Sequence, residues 1–310
     1  MKLAREWLAA AGLPTGDPAD APSSTRRFPD GGEYRIEIPS TEGPRALAAV
    51  LEEAEARRAP VHRVSQGSGI LLLADGEISE MVALGRKAGI EVNLFLGPRA
   101  TFDIGAQAYS PAGRTLGLAL RGADQLAYAL EDIGRGVRLG LRSVLVSDLG
   151  ILQLTAYLRG AGKLPANLII KTSVMMAPAN PASARLLEQL GANTINVPSD
   201  LTIPQIAAIR AAISVPIDFY VEAPDNIGGF IRYYEIPELI RVAAPIYLKF
   251  GLRNAPDVYP SGSHIENTVI ALSRERVRRA AIAMEHIARY CPQAAMSPLA
   301  AADLGIPATA

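Results

Sequence analysis

Ser143-Val144-Leu145-Val146-Ser147, then a helix-period stretch over Gly150–Gly160, then Asn167-Leu168-Ile169-Ile170-Lys171-Thr172: this run decides the fold. A short apolar run, a helix and a second short apolar run form a strand–helix–strand unit with parallel strands. Reading outward, the same unit recurs along most of the chain. Strand-like runs lie at Tyr34–Ile38, Val61–Val64, Glu91–Phe95, Ser143–Ser147, Asn167–Thr172, Thr194–Val197, Pro216–Val221 and Pro245–Lys249. Helix-period segments follow the first seven, at Pro44–Arg58, Ile78–Ala88, Ala123–Gly140, Gly150–Gly160, Pro181–Leu190, Ile203–Ala212 and Ile227–Ala243. Eight such units close into an α/β (β/α)8 TIM barrel, whose chemistry sits at the carboxyl ends of the strands.

Pro44, Pro181 and Pro204 fall where a first helical turn accepts proline. Gly89 and Gly191 fall where a glycine closes a helix. Residues 1–30 read as a short helix (Leu3–Ala11) and a linker (Pro14–Arg27), 31–255 as the barrel, and 256–310 as a C-terminal extension. The extension holds one long helix over Ser273–Tyr290, with Val277, Ala281, Met284 and Ile287 as an apolar stripe. That stripe is expected to cover the barrel or a partner subunit, and on the second option it predicts a homo-oligomer. Gly97 to Gly122 is too long for an ordinary strand-to-helix connection and reads as a lid, a packed surface excursion or a subunit contact.

The 310 residues are 49% hydrophobic and 20% charged with formal net charge +0, enough for one large core. A neutral chain has no general electrostatic bias toward nucleic acid or an anionic membrane. No apolar run is long enough to span a bilayer, and the N-terminal stretch is broken by Glu6, Gly12 and Pro14. The expectation is a cytoplasmic protein whose partner is a small molecule, not nucleic acid or membrane. The single cysteine, Cys291, leaves no internal disulfide and no cysteine-only metal site.

Charges inside strand patterns need partners or a job, because burial penalises them. Lys171, Lys249 and Glu222 each follow an apolar strand run. One reading is an ion-pair layer, in which Lys171 or Lys249 neutralises Glu222 or Glu37. The other is a lysine and a carboxylate facing one pocket. A desolvated lysine then attacks a carbonyl to form a Schiff base, with Glu222 or Asp148 moving protons. Arg63, Arg99 and Arg253, with Asn93 and Asn254, are the candidate substrate-binding residues, and the cations suit a carboxylate or phosphate. Gly228-Gly229 opens the predicted seventh helix, where barrels place phosphates, although a tight turn explains the pair as well. In the lysine reading no cofactor is required. In the alternative, Glu37, Asp148 and Glu222 hold a divalent metal for hydrolysis. A third reading is a non-catalytic scaffold barrel.

Gly140-Leu141-Arg142-Ser143-Val144-Leu145-Val146-Ser147-Asp148-Leu149-Gly150 resembles the strand, Asp-Leu-Gly, helix segment of the collagenase-like peptidases, the U-class family numbered thirty-two. Thr172 with Asn180, Leu190-Gly191-Ala192, Asp200-Leu201-Thr202 and Ile206–Ile209 continue in similar order, so the resemblance covers roughly residues 135–225. It implies a barrel and a Glu ending the next strand, which Glu222 matches. Many members carry a cysteine cluster soon after that Glu, serving an iron–sulfur centre. Here the stretch is Ala223-Pro224-Asp225-Asn226-Ile227-Gly228-Gly229-Phe230, so no iron–sulfur cluster is expected.

Overall fold

The computed structural model describes residues 2–97, 110 and 118–309. Eight parallel strands run in the order β5-β4-β3-β2-β1-β8-β7-β6. They are β1 (Tyr34–Pro39), β2 (Arg63–Ser65), β3 (Glu91–Phe95), β4 (Ser143–Val146), β5 (Ile169–Thr172), β6 (Ile195–Asn196), β7 (Ile217–Glu222) and β8 (Ile246–Phe250). A parallel bridge between Lys171 and Thr194 joins the two ends of that order, so the sheet is a nearly closed barrel. Between the strands run α2 (Pro44–Arg57), α3 (Asp75–Ala88), α4 (Gly122–Arg138), α5 (Leu149–Gly160), α6 (Pro181–Gln189), α7 (Ile203–Ala212) and α8 (Ile236–Ala243). A first helix, α1 (Lys2–Ala10), precedes the barrel and a last one, α9 (Glu266–Tyr290), follows it.

The local signals act as their chemistry requires. Pro44, Pro181 and Pro204 stand in the first turns of α2, α6 and α7. Gly89 takes the left-handed conformation, φ 67°, that ends α3. Several boundaries differ from the sequence expectation, and three of them bear on the fold's upper rim. The second strand is Arg63–Ser65, shifted toward its carboxyl end. The seventh helix does not begin at Ile227: Gly228 and Gly229 take φ of 112° and 67°, which breaks any helix there, and α8 opens only at Ile236 with proline in its first turn. The Gly-Gly pair is thus a turn eight residues before the helix. α9 begins at Glu266, because a single 3-10 turn over Ser263–Ile265 feeds straight into it.

One apolar core lies between the sheet and its helices. Ile36, Ile38, Val64, Val92, Leu94, Val144, Val146, Ile170, Ile195, Ile217, Phe219, Ile246 and Leu248 all point into it. Val277, Ala280, Ala283 and Ile287 of α9 join the same core. Of the expected stripe, Val277 and Ile287 are buried on the chain's own barrel, and Ala281 and Met284 are half-buried against the same core. No helix among the described residues is long and apolar enough to cross a membrane.

The chain beyond α9 closes the amino-terminal end of the barrel. Arg35 donates to Asp303 and to Asp30 at 2.7 and 2.8 Å, and to Ser297 Oγ at 3.0 Å. Gly305 N–H donates to Glu91 at 3.2 Å, and Ala308 N–H to the Gly140 carbonyl at 2.8 Å. Phe28 and Tyr247 meet edge to face beneath the strands. With that end sealed, the carboxyl ends of the strands are where a substrate can enter.

Candidate active site

Strand alternation builds the site. Every second residue of a barrel strand faces the helices, where apolar residues are required, so the remaining positions face the barrel axis. Here most of those inward positions are polar: Arg35 and Glu37 from β1, Arg63 and Ser65 from β2, and Glu91 and Asn93 from β3. Ser143 follows from β4, Lys171 from β5, Asp218 and Tyr220 from β7, and Tyr247 and Lys249 from β8. Barrel interiors are ordinarily filled by branched apolar side chains. This one is an almost continuous hydrogen-bonded column.

Glu37 is its centre. The carboxylate is fully buried and receives Arg63 Nε at 2.8 Å and Nη2 at 2.5 Å on Oε2. Its other oxygen, Oε1, accepts from Ser65 Oγ at 2.8 Å and from Lys171 Nζ, and stands 3.4 Å from Lys249 Nζ. Three cations beside it hold the carboxyl well below the usual range against the opposing effect of burial. Asp218 is the second anion. It takes Arg63 Nη2 at 2.5 Å and Thr194 Oγ1 at 3.0 Å, and stands 3.4 Å from Lys171 Nζ. Glu91 is the third, 3.6 Å from Arg63 and accepting from Ser143 Oγ at 2.7 Å. Arg63, Lys171 and Lys249 thus balance Glu37, Glu91 and Asp218.

The lysines differ in setting. Lys171 is wholly buried, and burial, then the neighbouring Arg63, pull its ammonium down to about 7 against Asp218 and Glu37. Lys249 lies nearer the mouth, 4.1 Å from the centroid of the Tyr220 ring. With its amide turned to satisfy both atoms, Asn196 accepts from Lys249 Nζ at 2.6 Å and donates to the Asp218 carbonyl at 3.2 Å.

Of the sequence candidates, the structure brings Glu37, Lys171, Lys249, Arg63 and Asn93 together. Asn93 donates to Ser143 Oγ at 2.7 Å and accepts from Ser65 Oγ at 3.3 Å. Glu222 stands apart from the lysines. It is buried against α9, accepting from the Tyr233 hydroxyl and the Arg253 N–H, both at 3.0 Å, with Arg279 Nη1 at 3.6 Å. Asp148 caps α5, accepting from Ile151 N–H at 3.1 Å, and also takes Leu120 N–H at 3.2 Å. Arg253 and the Asn254 N–H both bind Asp225, each at 2.6 Å, on the half-exposed turn after β7. Glu37, Asp148 and Glu222 therefore occupy three separate environments. Among the described residues no group of three His, Cys, Asp or Glu side chains is placed to hold a metal. Arg99 and most of the 97–122 connection lie outside the described residues.

Asp218, Glu91, Arg35 and Tyr220 belong to the column and were not singled out from the sequence. The signal was available: Tyr34-Arg35-Ile36-Glu37-Ile38 and Glu91-Val92-Asn93-Leu94 alternate polar and apolar residues inside parallel strands. Such strands are ordinarily apolar on both faces. Every polar residue in that alternation faces the axis.

Residues 118–223 match the model of Peptidase family U32, about a third of the chain and close to the span that carries the sequence resemblance. No curated protein matches. Among solved structures, a protein from Coccidioides immitis assigned as a fructose-1,6-bisphosphate aldolase aligns with TM-score 0.52 at 11% identity, over 83% of this chain and 93% of that one. A U32 peptidase aligns with TM-score 0.44 at 16% identity, over 74% of this chain and 97% of that one. A protein from Burkholderia cenocepacia assigned as a lyase/mutase aligns with TM-score 0.47 at 15% identity, over 88% and 89%. At these identities the first likeness speaks for the barrel fold alone.

Proposed function

We propose that this U32-family barrel is an enzyme that acts on a small anionic carbonyl compound through its buried lysines, in the manner of a lyase or aldolase. The observation that carries this reading is the sharing of one carboxylate, Glu37, by Lys171 and Lys249, with the Lys171 ammonium lowered to about 7. A lysine that titrates there is partly neutral in ordinary buffer and is a competent nucleophile.

In this reading the neutral Lys171 Nζ adds to the carbonyl carbon. Glu37, bonded to that nitrogen, takes the released proton and passes it to the carbonyl oxygen to give the carbinolamine, and a second proton, taken up from solvent, lets that hydroxyl leave as water. The resulting iminium draws electrons from the adjacent carbon–carbon or carbon–hydrogen bond. Lys249, beside the same carboxylate oxygen, faces the substrate's negative charge. The neutral net charge of the chain supports a small-molecule partner over a nucleic acid or an anionic membrane.

A competing reading follows from the same layer. With Lys171 fully buried between Glu37 and Asp218, the column could serve only to specify packing, as in a scaffold barrel. Borohydride reduction in the presence of pyruvate and larger 2-oxo acids separates the two. The enzyme reading expects a reduced adduct on the peptide containing Lys171, absent from Lys171→Met. A panel that leaves no adduct on either lysine sinks the enzyme reading in favour of the scaffold.

A further inference from the structure

Arg276, on α9, is 4% exposed. Its Nη1 donates to the Ser40 carbonyl at 3.2 Å, and its Nε is buried with no hydrogen-bond partner. Arg35 and Arg63 are just as buried, yet each carries two carboxylates within 3.0 Å. Arg276 has no carboxylate at ion-pair distance among the described residues. A buried guanidinium left in that state is costly unless an anion arrives.

Its surroundings point to where the anion comes from. Tyr259, Glu42 and Tyr220 are the titratable groups that face Arg276. Glu42 is already engaged, accepting from the backbone N–H groups of Gly67 at 2.6 Å and Ser68 at 3.0 Å. The Tyr259 hydroxyl is bonded to Ser40 Oγ at 2.5 Å. Tyr220 points inward from β7 in the uppermost layer of the column, and its ring also covers Lys249. Tyr220 therefore links Arg276 on the rim to Lys249 within. Ser40, which follows β1, fixes Arg276 at the level of the strand ends.

We propose that Arg276 is the residue that receives the substrate's carboxylate or phosphate, in a pocket it shares with the Tyr220 hydroxyl and Lys249. This assignment rests on the lysine reading for the identity of the substrate, but not for the existence of the anion site. It also reassigns the role expected of Arg63 and Arg253, whose guanidinium groups are already bonded to Glu37, Asp218 and Asp225.

The test uses the full-length protein in chloride-free buffer, titrated with pyruvate, oxalate and inorganic phosphate while the melting temperature is followed. An anion that binds the native state raises that temperature in a concentration-dependent way. At least one of the three is expected to do so in the wild type. Its apparent affinity is expected to fall tenfold or more in Arg276→Met and less in Arg276→Lys. Tyr220→Phe keeps the ring packing and is expected to weaken binding severalfold, so it serves where an Arg276 variant folds poorly. If no anion shows an effect that depends on Arg276 or Tyr220, the assignment is wrong. Borohydride trapping on the same samples keeps the two ideas apart. Arg276-dependent binding without an adduct leaves the anion site and removes the lysine chemistry. An adduct that forms equally well in Arg276→Met does the reverse.

Discussion

Lys249 Nζ stands 3.4 Å from Glu37 Oε1, the same oxygen that accepts from Lys171. With Arg63 these two ammonium groups make three cations around one carboxylate, and the layer is balanced because Asp218 and Glu91 add two further negative charges. Glu37→Gln leaves three buried cations facing two anions. It is expected to destabilise the fold by about 3–5 kcal/mol, the range for breaking a buried pair from one side. Adding Lys171→Met restores the balance, so the double variant is expected to be more stable than the two single losses sum to. Urea denaturation of the three variants measures this, and strictly additive losses would show that the layer is not electrostatically coupled.

The lowered Lys171 ammonium gives a pH signature. Because its pKa falls to about 7, its neutral form grows as pH rises through 7. The initial rate of borohydride trapping by pyruvate is expected to rise about tenfold per pH unit below that point and to level off above it. An ordinary exposed lysine would still be climbing near pH 10. A trapping profile without a plateau before pH 9 would remove Lys171 as the nucleophile.

The fold was legible because the strand–helix period repeats and because proline and glycine mark the helix ends where the backbone needs them. The lysines were legible as charges in apolar runs. Their partners were not, because Asp218 lies within Ile217–Glu222, where a single polar residue between apolar neighbours reads as an ordinary exposed position. Only the parity of the whole set of strands shows that it faces inward. Glu222 is hard to place from the sequence for the opposite reason. The register between β7 and β8 shifts at Tyr220–Glu222, so counting by two from Asp218 no longer gives its direction. Arg276 was invisible for a third reason: it reaches the strand ends from α9, and its contact with Ser40 spans 236 residues.

Gly67 tests the mouth from another side. A Cβ built there would stand 2.5 Å from Tyr259 Cε1 and 2.7 Å from its hydroxyl. Gly67→Ala must push that ring away and break its bond to Ser40 Oγ, close to where Arg276 is held. The expected cost is about 1–3 kcal/mol. Anion binding should weaken in parallel, read as a smaller anion-induced rise in melting temperature. Full anion binding with unchanged stability would mean that the loop carries Tyr259 aside without consequence for the site.

His62 sets the acid limit of the fold. The imidazole is fully buried beneath the barrel, with Nδ1 accepting from Ile36 N–H at 3.1 Å. That bond leaves Nε2 to carry the proton it donates to the Ser297 carbonyl at 2.8 Å. The ring is therefore held neutral, and burial lowers its pKa from 6.5 to about 4. The unfolded chain takes up the proton near pH 6.5 while the native state does not. The contribution of His62 to stability is therefore complete above that pH and is lost as pH falls toward 4. The loss is on the order of 3 kcal/mol from this residue alone. The incoming proton must go onto Nδ1, where it faces the Ile36 N–H, so protonation breaks the bond to β1 while the Nε2 bond to Ser297 survives. Amide exchange at Ile36 is expected to speed up between pH 6 and pH 4 relative to Ser297 and Gly305. His62→Gln, which has no proton to gain, should flatten the pH dependence of stability over that window, and an unchanged slope in that variant would assign the acid sensitivity elsewhere.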